Sequence, residues 1–136
     1  VSHYKEKLIL CPKDIAELLM EKMRFEKQEI LNVVILDNKN KLVKIKEIAK
    51  GGGNFVSATM KSILNEAVRI DANKIILVHN HPTGDPTPSE QDMKFTENVR
   101  QASEILGIKL LDHIIIGESR YVSIFSIIEK QKKGKK

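Results

Sequence analysis

Tryptophan is absent from this 136-residue chain, aromatic residues make up only 4% of it, and cysteine occurs once. Each shortage excludes something. So few rings make a poor stacking platform for single-stranded nucleic acid. A lone Cys11 forms no internal disulfide and rules out a cysteine-rich zinc cluster, which points to a reducing, cytoplasmic setting. No apolar run approaches the ~18 residues needed to cross a bilayer. The first residues lack the charged, apolar and small-residue order of a secretory signal. The expectation is one domain with no membrane partner. Its first residue is Val1 rather than Met, as in a piece of a longer protein.

A basic surplus over the fold is lacking too, although the totals suggest one. Lys and Arg number 23 against 18 Asp and Glu, a net charge of +5. Five of the lysines, Lys130, Lys132, Lys133, Lys135 and Lys136, fall in the last seven residues. The remaining 18 basic residues balance the 18 acidic ones. Residues 1–129 thus read as a neutral domain and 130–136 as a basic, disordered tail. Charge alone does not equip the neutral body to hold DNA, so nucleic acid is at most a weak partner.

What is present is regular patterning. Apolar positions Ile15, Leu18, Leu19 and Met23, with Pro12 suited to a first turn, predict a helix within residues 11–25. Glu29 to Leu36 is a β-branched run, and Leu42 to Ala49 alternates after the turn residues 37–40, which predicts a hairpin. Met60, Ile63, Leu64, Ala67 and Val68 mark one face of a helix from Ser57 to Ile70. Ile75 to His79 reads as a central strand. Ser89 to Leu106 reads as a helix with Met93, Val99, Ala102 and Leu106 on one face and Gly107 as its stop. Leu110 to Ile116 and Tyr121 to Ile127 read as two further strands. This order predicts an α/β fold of the α+β type, with a mixed central sheet and flanking helices.

The chemistry concentrates in His79-Asn80-His81-Pro82-Thr83-Gly84-Asp85-Pro86-Thr87-Pro88-Ser89-Glu90-Gln91-Asp92. His79 and His81 are two apart at a strand end, so both imidazoles face one side. If the proline-rich loop folds back, Asp92 in the next helix becomes a third ligand. Two His and one Asp leave a fourth tetrahedral position open, the arrangement of catalytic zinc. Structural readings stand beside this. Either His can be a hydrogen-bonded loop residue. Ser89-X-X-Asp92 is also a capping box, and Asp85 is most simply a turn residue. A proton acceptor for an attacking water is usually a carboxylate; Glu29, at the mouth of the first strand, is the candidate, against the plain alternative of a solvated strand end. The Gly51 to Gly53 run lacks a following Gly-Lys-Ser/Thr and reads as a mobile loop near the site rather than a phosphate cradle.

Taken in order, Glu29, His79-X-His81-Pro82, Ser89 and Asp92 resemble the JAMM motif of JAB1/MPN metalloprotease domains. Residues 78–89, with Leu110-Leu111-Asp112-His113-Ile114-Ile115-Ile116-Gly117, are similar to the bacterial RadC (UPF0758) branch. The resemblance implies a JAB1/MPN architecture, like that of cytidine deaminases. It implies one zinc ion held by His79, His81 and Asp92. It gives Glu29 the role of taking a proton from the attacking water, choosing it over Glu26 and Glu47, and gives Ser89 that of steadying the oxyanion. The reaction implied is hydrolysis of amide or isopeptide bonds in a protein or peptide substrate. His113 is expected as a buried, hydrogen-bonded strand histidine; Asp112 receives no role. RadC-like proteins usually carry an upstream helix-hairpin-helix, which this chain starts too late to include. Two other functions stay open: a DNA repair-associated accessory protein with a structural or unused metal site, and, third, a metal-dependent phosphodiesterase. The latter is disfavoured because Thr83 stands where a His-X-His-X-Asp-His pattern needs Asp.

Overall fold

A computed structural model describes residues 7–51 and 59–134. In chain order the elements are α1 (Pro12–Met23), β1 (Ile30–Leu36), β2 (Leu42–Lys50), α2 (Met60–Arg69), β3 (Lys74–Asn80), α3 (Glu90–Ile105), β4 (Lys109–Ile116), β5 (Tyr121–Ser123) and α4 (Ile124–Gly134). The five strands form one sheet in the order β2-β1-β3-β4-β5. Only β3 and β4 pair in parallel, joined by α3 as the crossover helix; the other pairs are antiparallel. The fold is α+β with a mixed sheet, as the element order predicts.

Every residue of β1 is buried because both faces of the sheet are covered. On one face Ile30, Val34 and Leu36 meet Ile15, Ala16, Leu19 and Met23 of α1. On the other, Leu31, Val33 and Ile35 meet α2 and α3 through Ile63, Leu64, Ala67, Phe95 and Val99. The alternation sends His79 to the α3 face with Leu77 and turns Asn80 the opposite way. None of the helices described is long and apolar enough to cross a membrane.

Four local expectations change. The buried stripe of α3 is Asp92, Phe95, Thr96, Val99 and Ser103, whereas Leu106 is exposed; its polar members face polar partners rather than apolar core. Val68 is likewise exposed. The expected strand from Tyr121 to Ile127 stops at Ser123, and α4 begins. The reason is tertiary. Asp112 of β4 accepts hydrogen bonds from Ser123 Oγ (2.6 Å) and Phe125 N–H (3.1 Å), while Ser123 Oγ accepts from Ser126 N–H (3.1 Å). These acceptors satisfy two N–H groups of the helix's first turn, one from Ser123 itself and one from Asp112 on another strand. Finally, the tail expected to be disordered from Lys130 on continues α4 through Gly134, with Lys132 and Lys133 in its last turn, where cations suit the helix dipole. The glycine run read as a mobile loop lies outside the described residues beyond Gly51.

An ion-pair network centred on one buried carboxylate ties α2 to the hairpin. Glu66 is only 5% exposed and pairs with Arg69, Lys44 (2.7 Å) and Lys46 (3.7 Å). Hydrogen bonds from Arg69 and Lys44 hold its carboxyl down at about 2, below the ordinary 4.5. A depressed carboxyl stabilises the fold above its unfolded value and loses that contribution as pH falls through the folded one. Glu66→Gln is therefore expected to lower stability at neutral pH, with the gap to wild type closing between about pH 4.5 and 2. Urea unfolding across that window measures it.

Candidate metal centre

The site forms where β3 reaches its carboxyl end beside the amino ends of β1 and α3. The last rung between β1 and β3 pairs Leu31 with His79. One residue further the strands part. His81 N–H bonds Ile116 O of β4 (2.9 Å), so the chain stays with β4. The side chain of Asn80 bridges the opening to β1. Its Oδ1 accepts from Ile30 N–H (2.7 Å) and its Nδ2 donates to Gln28 O (3.0 Å). Glu29 is held between those two anchors, and its own carbonyl accepts from Gly51 N–H (2.9 Å).

The loop after His81 folds back as the motif reading requires. Gly84 takes a positive φ of +93°, and its carbonyl accepts from Glu118 N–H (3.0 Å). A Cβ on Gly117 would collide with the Gly84 carbonyl and Pro86, so the β4–β5 turn fits this loop only with glycine there. Asp85 is the turn residue expected, its carboxylate accepting from Thr87 N–H (3.0 Å) and Thr87 Oγ1 (2.7 Å). Ser89 then starts α3 in a capping box: Ser89 Oγ accepts from Asp92 N–H (3.0 Å), and Asp92 Oδ2 accepts from Ser89 N–H (2.8 Å). The capping role of Asp92 is compatible with a place in the cluster, because the box aims its carboxylate at the histidines.

The result is a cluster of Glu29, His79, His81 and Asp92, with one donor atom from each lying within 4.8 Å of the others. His81 Nε2 lies 3.1 Å from Asp92 Oδ2, and His79 Nε2 lies 3.5 Å from both Asp92 Oδ1 and Glu29 Oε1. Zinc bonded to N and O donors at ~2.0–2.1 Å spaces tetrahedral ligands roughly 3.3 Å apart. The observed separations fit that spacing. The outer ring nitrogens are engaged elsewhere: His81 Nδ1 donates to Asp85 O (2.9 Å), and His79 Nδ1 lies 2.6 Å from His113 Nε2. With Nδ1–H of His81 committed, its Nε2 faces a carboxylate with a lone pair unless a proton or a cation stands between them. The donor set therefore suits a cation such as zinc.

Electrostatics agree. Burial, followed by the nearby His113, pushes His79 well below the usual histidine range, keeping it in the neutral, ligating form. Burial also holds His113 down at about 3. The hydrogen bond to Asp92 raises His81. Burial works to raise Asp92, but contacts with His81 and Ser89 N–H outweigh it and leave the carboxyl well below its ordinary value. Glu29 is raised, chiefly by burial.

Of the residues singled out in the sequence, the four donors converge. Ser89 caps the helix carrying Asp92. His113 is the buried, hydrogen-bonded strand histidine expected, bonded to His79 and to Thr96 Oγ1 (2.6 Å). Asn80 and Thr96 are the two the sequence reading missed. A polar residue between Met93 and Val99 on the face expected to be apolar was the available signal for Thr96; Asn80 gave none, since its partners lie some 50 residues upstream.

A family model described as RadC-like JAB domain matches residues 9–132. A UPF0758 protein of Clostridium perfringens is 43% identical over 124 residues, which is 91% of this chain and 55% of that protein. A UPF0758 protein of Carboxydothermus hydrogenoformans is 49% identical over 115 residues, 85% of this chain and 51% of that one. Another, from Desulfitobacterium hafniense, is 44% identical over 117 residues, 86% and 52%. The chain spans about half the length of the curated relatives it matches.

Removing the Asn80 amide leaves Ile30 N–H and Gln28 C=O without this partner at a buried strand end. Asn80→Ala is expected to lower unfolding free energy by about 1–3 kcal/mol, read by chemical denaturation. Asn80→Asp keeps the acceptor for Ile30 but loses the donor to Gln28, so it should not restore full stability.

Proposed function

The chain belongs to the RadC-like JAB domain family, and from that premise we propose that it is a zinc-dependent hydrolase of amide or isopeptide bonds acting on a protein or peptide substrate. The observation that carries this reading is the convergence of two imidazoles and two carboxylates within 4.8 Å at the carboxyl end of β3. His79, His81 and Asp92 would hold one zinc ion, leaving Glu29 for proton transfer. When bound, the ion supplies Lewis acidity, polarising a carbonyl and lowering the pKa of a water toward ~7.

The chain's own groups supply the rest. Glu29 is confined between the two anchors of Asn80, with Oε1 3.5 Å from His79 Nε2. Its carboxylate takes a proton from the attacking water and passes it to the leaving nitrogen as the C–N bond breaks. The raised pKa of Glu29 suits a group that must both accept and release a proton. Ser89 Oγ spends a lone pair on Asp92 N–H, which leaves its O–H proton for the oxyanion developing on the carbonyl. The amino end of α3 adds a favourable dipole at the same place.

Glu29→Gln separates binding from chemistry. The variant is expected to retain stoichiometric zinc by elemental analysis while cleavage of an amide reporter falls by ~10²-fold or more. Equal activity in the two proteins removes Glu29 from the mechanism, and a zinc-free wild type after metal loading overturns the proposal. A thermal shift gives a check without substrate: zinc at about 100 times its dissociation constant adds ~2.7 kcal/mol of stability. That gain should vanish in His81→Ala.

A further inference from the structure

We propose that Thr96 and His113 are positioning residues that fix which nitrogen of His79 faces the site. The inference deepens the zinc-site reading and rests on it for its consequence in metal affinity.

The argument follows hydrogens along a buried chain of groups. Thr96 Oγ1 lies 2.7 Å from Asp92 O and 2.6 Å from His113 Nδ1. A carbonyl can only accept, so the single hydroxyl hydrogen of Thr96 goes to Asp92 O, one helical turn back. The hydrogen between Thr96 Oγ1 and His113 must then come from His113 Nδ1. His113, carrying its hydrogen on Nδ1, presents a bare Nε2 to His79 Nδ1 at 2.6 Å. His79 therefore carries its own hydrogen on Nδ1 and donates it to His113. Its Nε2 is left with a lone pair directed toward Glu29 and Asp92, the form in which an imidazole binds a metal. The relay starts at the backbone of Asp92 and ends at His79, so one ligand's main chain sets the tautomer of another ligand's side chain. All three side chains are fully or almost fully buried, so bulk water does not compete for these bonds. The geometry also explains two apparent faults in the apolar pattern, a threonine on the buried stripe of α3 and a histidine inside β4.

A structural role alone would need only that these groups be paired, in either direction. The test must therefore read direction. Nitrogen-15 NMR of the histidine rings in the metal-free chain reports the tautomers without any metal or substrate. His79 and His113 are both expected with hydrogen on Nδ1; hydrogen on Nε2 of His79 overturns the inference. Thr96→Val keeps the shape and removes the hydroxyl, and it is expected to lose the single tautomer at His79 and to weaken zinc binding ~10–100-fold in chelator competition. Thr96→Ser keeps the hydroxyl and should restore both. A folded Thr96→Val with unchanged tautomers and affinity overturns the proposal; should that variant not fold, the wild-type tautomers and the Thr96→Ser affinity decide. A wild type showing the expected tautomers but no zinc affinity supports the relay and overturns the zinc reading instead.

Discussion

Everything at the site depends on how the end of β3 divides its hydrogen bonds between two neighbouring strands. A strand in mid-sheet normally bonds both sides along its whole length, which leaves no opening for chemistry. Here His81 N–H goes to β4, and the side chain of Asn80, not the backbone, reaches β1. Where the sheet opens, the Asn80 amide satisfies Ile30 N–H and Gln28 C=O. Into that opening come Glu29 from the start of β1 and both histidines from β3. Asp92 enters from above because the capping box of α3 fixes its rotamer.

Gathering these groups has an electrostatic cost, and the surroundings answer it in a consistent way. Two carboxylates and two imidazoles in a half-buried cluster repel or compete unless a cation or protons sit among them. Burial keeps His79 neutral, whereas the more exposed His81 is drawn toward its charged form by Asp92. Outside the cluster each imidazole has a hydrogen-bond partner that fixes its ring: a turn carbonyl for His81, another histidine for His79. Rings held from behind present their remaining nitrogens to one point. The loop carrying the turn carbonyl is in turn locked onto the β4–β5 connection through Gly84 and Gly117.

Much of this was legible in the sequence, for local reasons. Period-two alternation and β-branched runs marked β1 to β4. Helical spacing marked α1 to α3. Ser89-X-X-Asp92 announced a helix start that also aims a carboxylate at two histidines. The hidden parts share a long-range cause. Tyr121 to Ile127 has strand composition, but Asp112 on β4 caps its second half as helix. Asn80 looks like a spacer between two histidines until its partners at the start of neighbouring β1 are in place. Leu106 continued an apparent apolar face, but α3 had turned its Thr96 side toward His113.

By itself, the sequence determined the element order as far as β5, the mixed sheet, and the four donors that converge, because periodicity, caps and motif spacing are properties of neighbours along the chain. Only the tertiary structure decided that Glu29 stands 3.5 Å from His79, that Asn80 anchors it, that Asp112 ends a strand, and that Thr96 and His113 form one hydrogen-bonded line behind His79. These decisions depend on strand register and on which face of a helix meets the sheet. Both are fixed by packing between segments far apart in sequence, where no local preference can specify the partner.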